Sequence, residues 1–529
     1  MPGTVDTLMP SNSKIRSGTS LHLMALLLLV TVVTFHVPLA QPLTDPFQEA
    51  EYAMFGFLAQ IQADLRMPVL IHGGLDTVPS RVAALTCAAD AQIVCVRTIN
   101  ALIQFGASCL FVAVLAVLGG LGSFAALVAS LPAAAMLWFY NGSTTRVVDA
   151  HQGTPSVRDL FVMAALLPMA RLCRQIDAGD ARDRPYSLLA LGVLAGIGVF
   201  WAYNRGLVLI LVLGAFVAGL CLLRQSLRPA LPTLAGIVVG LAAMLAVGGG
   251  RIITDTLFNI SYWSRNEAIW RTYFEEGMAV PVVALMFLVL AGTLPIIWAS
   301  LRSGRPGRAL MLTVLGLTFG LYAVQSLNRP DLQHLRWIIW PATLMLAIII
   351  RDQAGCMRDG PAWPGATLLA LFPLLSVLCI EFYSENSIVR VILPRLVENA
   401  RTMTRALPGD RELVGRDLAR VAELVTASGH CTFAANNAGI VHLLSRMPPC
   451  SRFVFGTYIA TDRQTEVIAD LEAAQPEIIL WDSASWWSRI DGRSFRDRTP
   501  MLADWIEARY PVRTVIGQHV LLSRALLEH

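Results

Sequence analysis

The sequence predicts an α-helical polytopic membrane protein that ends in a small α/β domain. Of its 529 residues 55% are hydrophobic and only 15% charged, and the mean hydropathy is +0.58, far more apolar than a soluble chain of this length. Apolar runs of membrane-crossing length recur from residue 20 to residue 382. From about residue 410 the texture changes to short β-rich runs alternating with helical patterns.

The apolar runs lie near 20–39, 103–121, 123–140, 158–173, 187–203, 206–223, 231–249, 279–300, 309–326, 336–350 and 364–382. Each approaches the ~20 residues that cross hydrocarbon, so about eleven spans are expected. The fourth is the least regular, because Arg158 and Asp159 open it, and a shorter or interfacial helix also fits. The first run ends at Pro38-Leu39-Ala40-Gln41, which has the look of a processing site, but its apolar core is long for a signal peptide and a retained anchor is expected.

Short loops on the N-terminal side carry Lys14 and Arg16, then Arg171, Arg174, Arg182 and Arg184, then Arg224 and Arg228, then Arg302, Arg305 and Arg308, then Arg351 and Arg358. The positive-inside rule makes this side cytoplasmic. The loop from about 40 to 102 and everything after about 383 then face outward. Residues 1–382 form a transmembrane domain in this reading, and 383–529 an extracytoplasmic one.

The net charge of +4 averages two sides of a membrane and gives no nucleic-acid footprint. The nine cysteines show no C-x-x-C pairing, which excludes zinc ribbons and thioredoxin motifs. Cys87 with Cys95 and Cys431 with Cys450 fall in outward segments, where disulfides are permitted.

In the C-terminal part, strands are expected at Cys431–Ala434, Arg452–Phe455, Glu477–Trp481 and Val512–Ile516, and helices at Asp462–Ala474 and Met501–Tyr510. The alternation favours a mostly parallel sheet, with His519–Arg524 as an antiparallel edge. No phosphate-binding glycine loop follows a strand.

Candidate chemistry concentrates in the outward segments. Asp45, Glu49 and Glu51 crowd the start of the first loop; after Pro46 a helix would put Asp45 and Glu49 one turn apart. One acid is then placed to take a proton from a hydroxyl, another to orient a ligand or metal, although acids also simply favour a helix N-terminus. Farther along, His72-Gly73-Gly74-Leu75-Asp76 offers His72 and Asp76 to a polar ligand, or forms a plain turn.

Arg205 and Arg329 sit at outer span ends, where a guanidinium seeks an anion. Arg329 with His334 is the preferred phosphate clamp, against snorkelling to headgroups or pairing with Asp331; for Arg205, snorkelling to headgroups is favoured. The outward stretch Arg251–Gly277 carries Tyr262, Trp263, Arg265, Asn266, Glu267, Trp270 and Tyr273, a mixture that suits sugar stacking or, by the stronger prior, an interfacial belt. Trp481, Trp486 and Trp487, near Arg489 and Asp491, are expected to serve domain packing before acceptor binding.

With these residues in hand, the chain resembles the polytopic glycosyltransferases of the GT-C class. Asp45-Pro46-Phe47-Gln48-Glu49-Ala50-Glu51 is similar to the D-P-F-H-E-G-E motif of bacterial members, departing at Gln48 and Ala50; Arg329-Pro330-Asp331 with His334 resembles a late-loop R-x-D-x-x-H pattern. The loss of a histidine at position 48 removes any role for that imidazole. The resemblance implies a bacterial inner-membrane enzyme that moves a sugar from a polyprenyl-phosphate donor to a cell-envelope glycan, lipid or protein acceptor on the periplasmic side. It further implies Asp45 as general base, Arg329 on the leaving phosphate, and Glu49 and Glu51 orienting the acceptor or holding a divalent cation, Mg or Mn, used by some members. A flippase of lipid-linked sugars is the runner-up from another class, but no internal repeat supports it. An O-antigen polymerase or ligase would place its large loop later in the chain.

Overall fold

The computed structural model describes residues 86–87, 92–119, 156–180, 184–265, 276–327, most of 336–348, 394, 397, 401, and 409–525 apart from 436–437, 455, 457–458 and 484–493. Asp45, Glu49, Glu51, His72, Asp76, Arg329, Asp331 and His334 lie outside these residues, as do the first, third and last apolar runs and Trp486, Trp487, Arg489 and Asp491.

The helical part comprises α1 (Gln92–Gly119), α2 (Leu160–Asp177), α3 (Pro185–Trp201), α4 (Tyr203–Arg224), α5 (Ala230–Arg265), α6 (Glu276–Arg302) and α7 (Pro306–Leu327). Among the described residues, Tyr203–Arg224, Ala230–Val247 and Pro306–Ser326 are long and apolar enough to cross a membrane. A common core joins α1, α2, α4 and α7 through Phe111, Met163, Leu166, Phe216, Leu315 and Phe319. The irregular fourth run is an ordinary helix, α2, entered through a 3-10 turn at Val157–Asp159.

Glycine spacing explains one helix pair. Gly192 and Gly196 on α3 face Gly236 and Gly240 on α5, two G-x-x-x-G repeats in contact. A Cβ added at Gly236 would fall 2.1 Å from the Leu189 carbonyl oxygen, and one at Gly192 2.1 Å from that of Thr233, so only hydrogen fits between the backbones. The other faces of α5 carry exposed Leu231, Leu234, Val238 and Val239, as apolar solvent requires.

At Gly249 α5 breaks, with φ 63° and ψ −173°, a conformation open essentially to glycine. The helix then resumes through Arg265, so much of the stretch expected to be an outer loop is helical. Its Phe258 and Tyr262 leave the bundle and pack on Phe433, Phe453 and Ile459 of the C-terminal part. The Tyr262 hydroxyl accepts a hydrogen bond from the Ala460 N–H at 2.9 Å. Tyr262 is therefore neither a sugar platform nor a belt residue; it docks one region on another.

The C-terminal α/β unit contains α8 (Asp410–Leu413), α9 (Arg416–Ser428), β1 (Phe433–Ala434), α10 (Ile440–Ser445), α11 (Gln464–Ala474), β2 (Ile478–Ser483), α12 (Phe495–Arg498), α13 (Pro500–Arg509), β3 (Val512–Ile516) and β4 (His519–Ser523). Strand order is β1-β2-β4-β3. Period-two alternation sorts the sheet between two helical layers: Ile479 and Leu522 face α11 and α13, whereas Ile478, Leu480 and Leu521 face α9 and α10.

The expected mostly parallel sheet is corrected. Only β1 and β2 run parallel; β2–β4 and β3–β4 are antiparallel, and β4 is interior while β3 forms the edge. The reason is local: Gly517, at φ 56°, and Gln518 close a two-residue hairpin between Ile516 and His519, which forces reversal. No strand forms at residues 452–454 either; there Arg452 lies over the Phe258 ring of α5, 4.8 Å from its centroid.

Disulfides join Cys87 to Cys95 and Cys431 to Cys450; among the described residues Cys109, Cys173 and Cys221, all in the helical part, are free. Both pairings, permitted but left open by the sequence, are formed.

Two predictions follow from packing and burial. Gly236→Leu should force α3 and α5 apart and destabilise by about 1–3 kcal/mol, read as a lowered Tm in detergent. In the C-terminal unit, burial drives the pKa of His442 down to about 3 against a backbone hydrogen bond that raises it, and that of His519 is also lowered by burial, against Asp417. A histidine held neutral in the fold but charged when unfolded contributes fully above its unfolded pKa, near 6.5, and progressively less as pH falls toward its folded value. The unit should accordingly lose stability below about pH 6.5, and His442→Leu should flatten that slope in proteolysis-monitored unfolding.

Candidate active site at one end of the helix bundle

Four helix ends and two 3-10 turns, Val157–Asp159 and Arg336–Ile338, converge around Arg205. α3 ends at Trp201 and α4 begins at Tyr203, a connection possible because Gly206 meets Gly198: a Cβ on Gly206 would lie 2.4 Å from the Gly198 carbonyl oxygen. Arg205 thus starts α4 inside the bundle, 1% exposed. The Trp201 indole N–H donates to the Val157 carbonyl at 3.0 Å, which ties the start of α2 to the same corner.

Asp159 is the charge that receives the guanidinium. Its Oδ1 lies 3.4 Å from Arg205 Nε and accepts the Tyr322 hydroxyl of α7 at 2.6 Å. Its Oδ2 accepts the Ser156 backbone N–H at 2.7 Å and the Ser156 hydroxyl at 2.9 Å. Both oxygens are satisfied, as a carboxylate 1% exposed requires.

Arg205 is less completely met. Nη1 donates to Gln325 Oε1, and Gln325 in turn donates to the Asn204 carbonyl at 3.3 Å. The guanidinium lies 4.0 Å from the Tyr322 ring centroid and 4.7 Å from that of Trp337, two cation–π contacts of the kind that gain strength away from water. Nη2 is buried and has no hydrogen-bond partner among the described residues. An arginine fixed in this way, with one donor pair unspent, is chemically suited to an anionic oxygen.

The snorkelling expected for Arg205 is corrected by these contacts. Its side chain turns into the bundle, because Asp159 offers a buried counter-charge that headgroups would otherwise supply. Asp159, Tyr322, Gln325 and Trp337 were not singled out by sequence reasoning. The signal for Asp159 was present: an acid next to a basic residue inside an apolar run is a functional candidate by default. Arg158, its neighbour, is 6% exposed and stands 6.0 Å from the Trp337 ring.

Of the other predicted site residues, Arg265 is exposed at the end of α5, and the remainder lie outside the described residues. One connection is nevertheless informative. Residues 328–335, which carry Arg329, Asp331 and His334, join Leu327 to Arg336, and both flanks reach Arg205: Gln325 on one side, Trp337 on the other. No group of three or more His, Cys, Asp or Glu side chains suited to a metal occurs among the described residues.

No known protein family matches the chain, and no curated protein does. Among solved structures, the chain is similar over 96% of its length to the crystal structure of ArnT from Cupriavidus metallidurans bound to undecaprenyl phosphate, 98% of which is covered, at 15% identity and a TM-score of 0.43. A likeness this low carries neither fold nor activity across.

Removing Asp159 should leave a guanidinium buried without its counter-charge. Asp159→Ala should destabilise the protein by about 3–5 kcal/mol, whereas Asp159→Ala combined with Arg205→Met should recover much of the loss, both read by thermal unfolding in detergent.

Proposed function

We propose that the protein is a membrane-bound glycosyltransferase of the GT-C type, which moves a sugar from a polyprenyl-phosphate donor to an acceptor hydroxyl outside the cytoplasm. The observation that carries this reading is the buried Arg205, held by Asp159 and two aromatic rings with Nη2 unspent, at the helix ends where the chain bearing Arg329, Asp331 and His334 begins and ends. A lipid-linked phosphate meets such a guanidinium without leaving the membrane boundary, since its tail stays in hydrocarbon.

In the reaction, the Asp45 carboxylate takes the proton of the acceptor hydroxyl while that oxygen bonds to the anomeric carbon. The bond from the anomeric carbon to the phosphate oxygen breaks, and its electron pair leaves on polyprenyl phosphate. Arg205 and Arg329 stabilise the charge that grows on the leaving phosphate. Glu49 and Glu51, with His72 and Asp76, orient the acceptor, and Asp331 and His334 hold Arg329. A divalent cation, Mg or Mn, bound by the first-loop acids would supply further positive charge on the phosphate.

The positions of the cysteines support an outward-facing C-terminal unit. Both disulfides, Cys87–Cys95 and Cys431–Cys450, lie in or against that unit, while the free thiols described are in the helices, as expected if the unit occupies the oxidising side of a bacterial inner membrane. The acceptor is then a cell-envelope glycan, lipid or protein. Nucleic acid is not expected among the partners.

Purified protein in detergent with a polyprenyl-phosphate sugar provides the test. Asp45→Asn should lower kcat by roughly 100-fold or more, and Arg205→Gln or Arg329→Ala should weaken donor binding; full transfer by Asp45→Asn removes that carboxylate from the base role, and unchanged donor affinity in both arginine variants rejects the phosphate site.

A further inference from the structure

The first turn of α1 does not belong to the bundle. Ile93 and Val94 pack in one cluster with Leu418 and Val421 of α9, Val441 of α10 and Leu521 of β4, whereas Phe111, Val114 and Leu115 of the same helix sit in the bundle core. α1 is therefore an unbroken strut with its base among the helices and its tip in the C-terminal unit. That tip is deeply buried although it carries Gln92, Arg97 and Asn100, which are 2%, 3% and 4% exposed.

The start of α1 takes its acceptor from a distant part of the chain. Its leading N–H groups have no partner within the helix, and the residue before Gln92 is Ala91, which has no side-chain oxygen for a cap. Asp410 supplies both acceptors from 318 positions along the chain: Oδ2 accepts the Gln92 N–H at 3.0 Å and Oδ1 that of Ile93 at 2.9 Å. Asp410 is itself 5% exposed, so these bonds are made away from competing water. The Cys87–Cys95 disulfide then fastens the chain that arrives from the first loop onto this same turn.

We propose that Asp410 is a positioning residue for sugar transfer. From the C-terminal unit it fixes the tip of α1, and with it the point at which the acid-bearing first loop joins the helices. The inference rests on the glycosyltransferase reading above. On this view the C-terminal unit is required for turnover because it holds the anchor of that loop, with no need for it to touch the sugar. Catalysis depends on reacting groups being held within a fraction of an ångström, and displacement of about 1 Å from a distant substitution can lower a rate roughly 100-fold.

The test compares Asp410→Ala and Asp410→Asn with the unsubstituted full-length protein, counting only folded, disulfide-intact molecules. For a positioning residue, kcat should fall by roughly 10- to 100-fold in Asp410→Ala with the donor KM nearly unchanged, and Asp410→Asn, which keeps one carbonyl acceptor, should recover part of it. A residue that merely stabilises would lower the Tm and the folded fraction yet leave kcat per folded molecule unaltered, which would overturn the proposal. A second readout needs no activity. An Asp45→Cys substitution reports the loop by its labelling rate with a membrane-impermeant maleimide, above the background of the chain lacking it. That rate should change several-fold when Asp410→Ala is added; an unchanged rate overturns the proposal. If Asp410→Ala does not fold, Cys87→Ser with Cys95→Ser, leaving Asp410 in place, should show the same labelling change, and its absence counts equally against the idea. Failure of the unsubstituted protein to use any polyprenyl-phosphate sugar would refute the glycosyltransferase reading separately, because the labelling comparison would still report on the anchor.

Discussion

A guanidinium buried among apolar helices is tolerable only with a counter-charge at hand, and the pairing of Arg205 with Asp159 sets much of the geometry at one end of the bundle. Asp159 can accept Arg205 only because Ser156 and Tyr322 satisfy the rest of its carboxylate, and Tyr322 reaches it only because α7 packs between α2 and α4. Gln325 and Trp337 complete the enclosure on the chain segments that flank residues 328–335. The contacts that neutralise the charge leave Nη2 of Arg205 without a hydrogen-bond partner among the described residues.

The bundle and the C-terminal unit are joined by ordinary packing reinforced at a few polar points. α1 passes from one to the other without interruption and is capped by Asp410; the half of α5 beyond Gly249 docks through Phe258 and Tyr262. At the other end of the bundle Asp177 performs the same service within the helical part, its two oxygens accepting the Gly307 and Arg308 N–H groups at 2.7 and 2.9 Å. Pro306 opens α7 without an N–H, so these are the first donors that α7 has to satisfy. Carboxylates supplied in trans are thus used twice among the described helices to satisfy helix starts.

Legibility from sequence varied with the range of the interaction. The apolar runs around α3, α4 and α7 were evident, because hydrocarbon-facing length is a one-dimensional property. The helices at Gln464–Ala474 and Pro500–Arg509 matched their patterns within one or two residues. The start of α2 was harder: Arg158 and Asp159 read as a polar boundary, since nothing nearby in sequence reveals a tyrosine 163 positions away that receives the acid. Arg205 reads as an outward-facing residue for the same reason, since its partner Asp159 is not apparent from the neighbouring sequence. The sheet failed on topology: the hairpin at Gly517-Gln518 carried a local signal for reversal, but its insertion of β4 beside β2 did not.

Composition and periodicity alone determined that this chain builds apolar helices followed by a small α/β unit, because those choices rest on each segment's own exposure to solvent or hydrocarbon. Tertiary structure alone decided that Asp159 belongs to Arg205, that Tyr262 serves docking, that Asp410 closes the start of α1, and that β4 lies inside the sheet. Each of these depends on which surfaces meet once the helices pack, and the free energy of a buried charge or an unsatisfied N–H is set by partners far away in the sequence, 318 positions for Gln92 and Asp410.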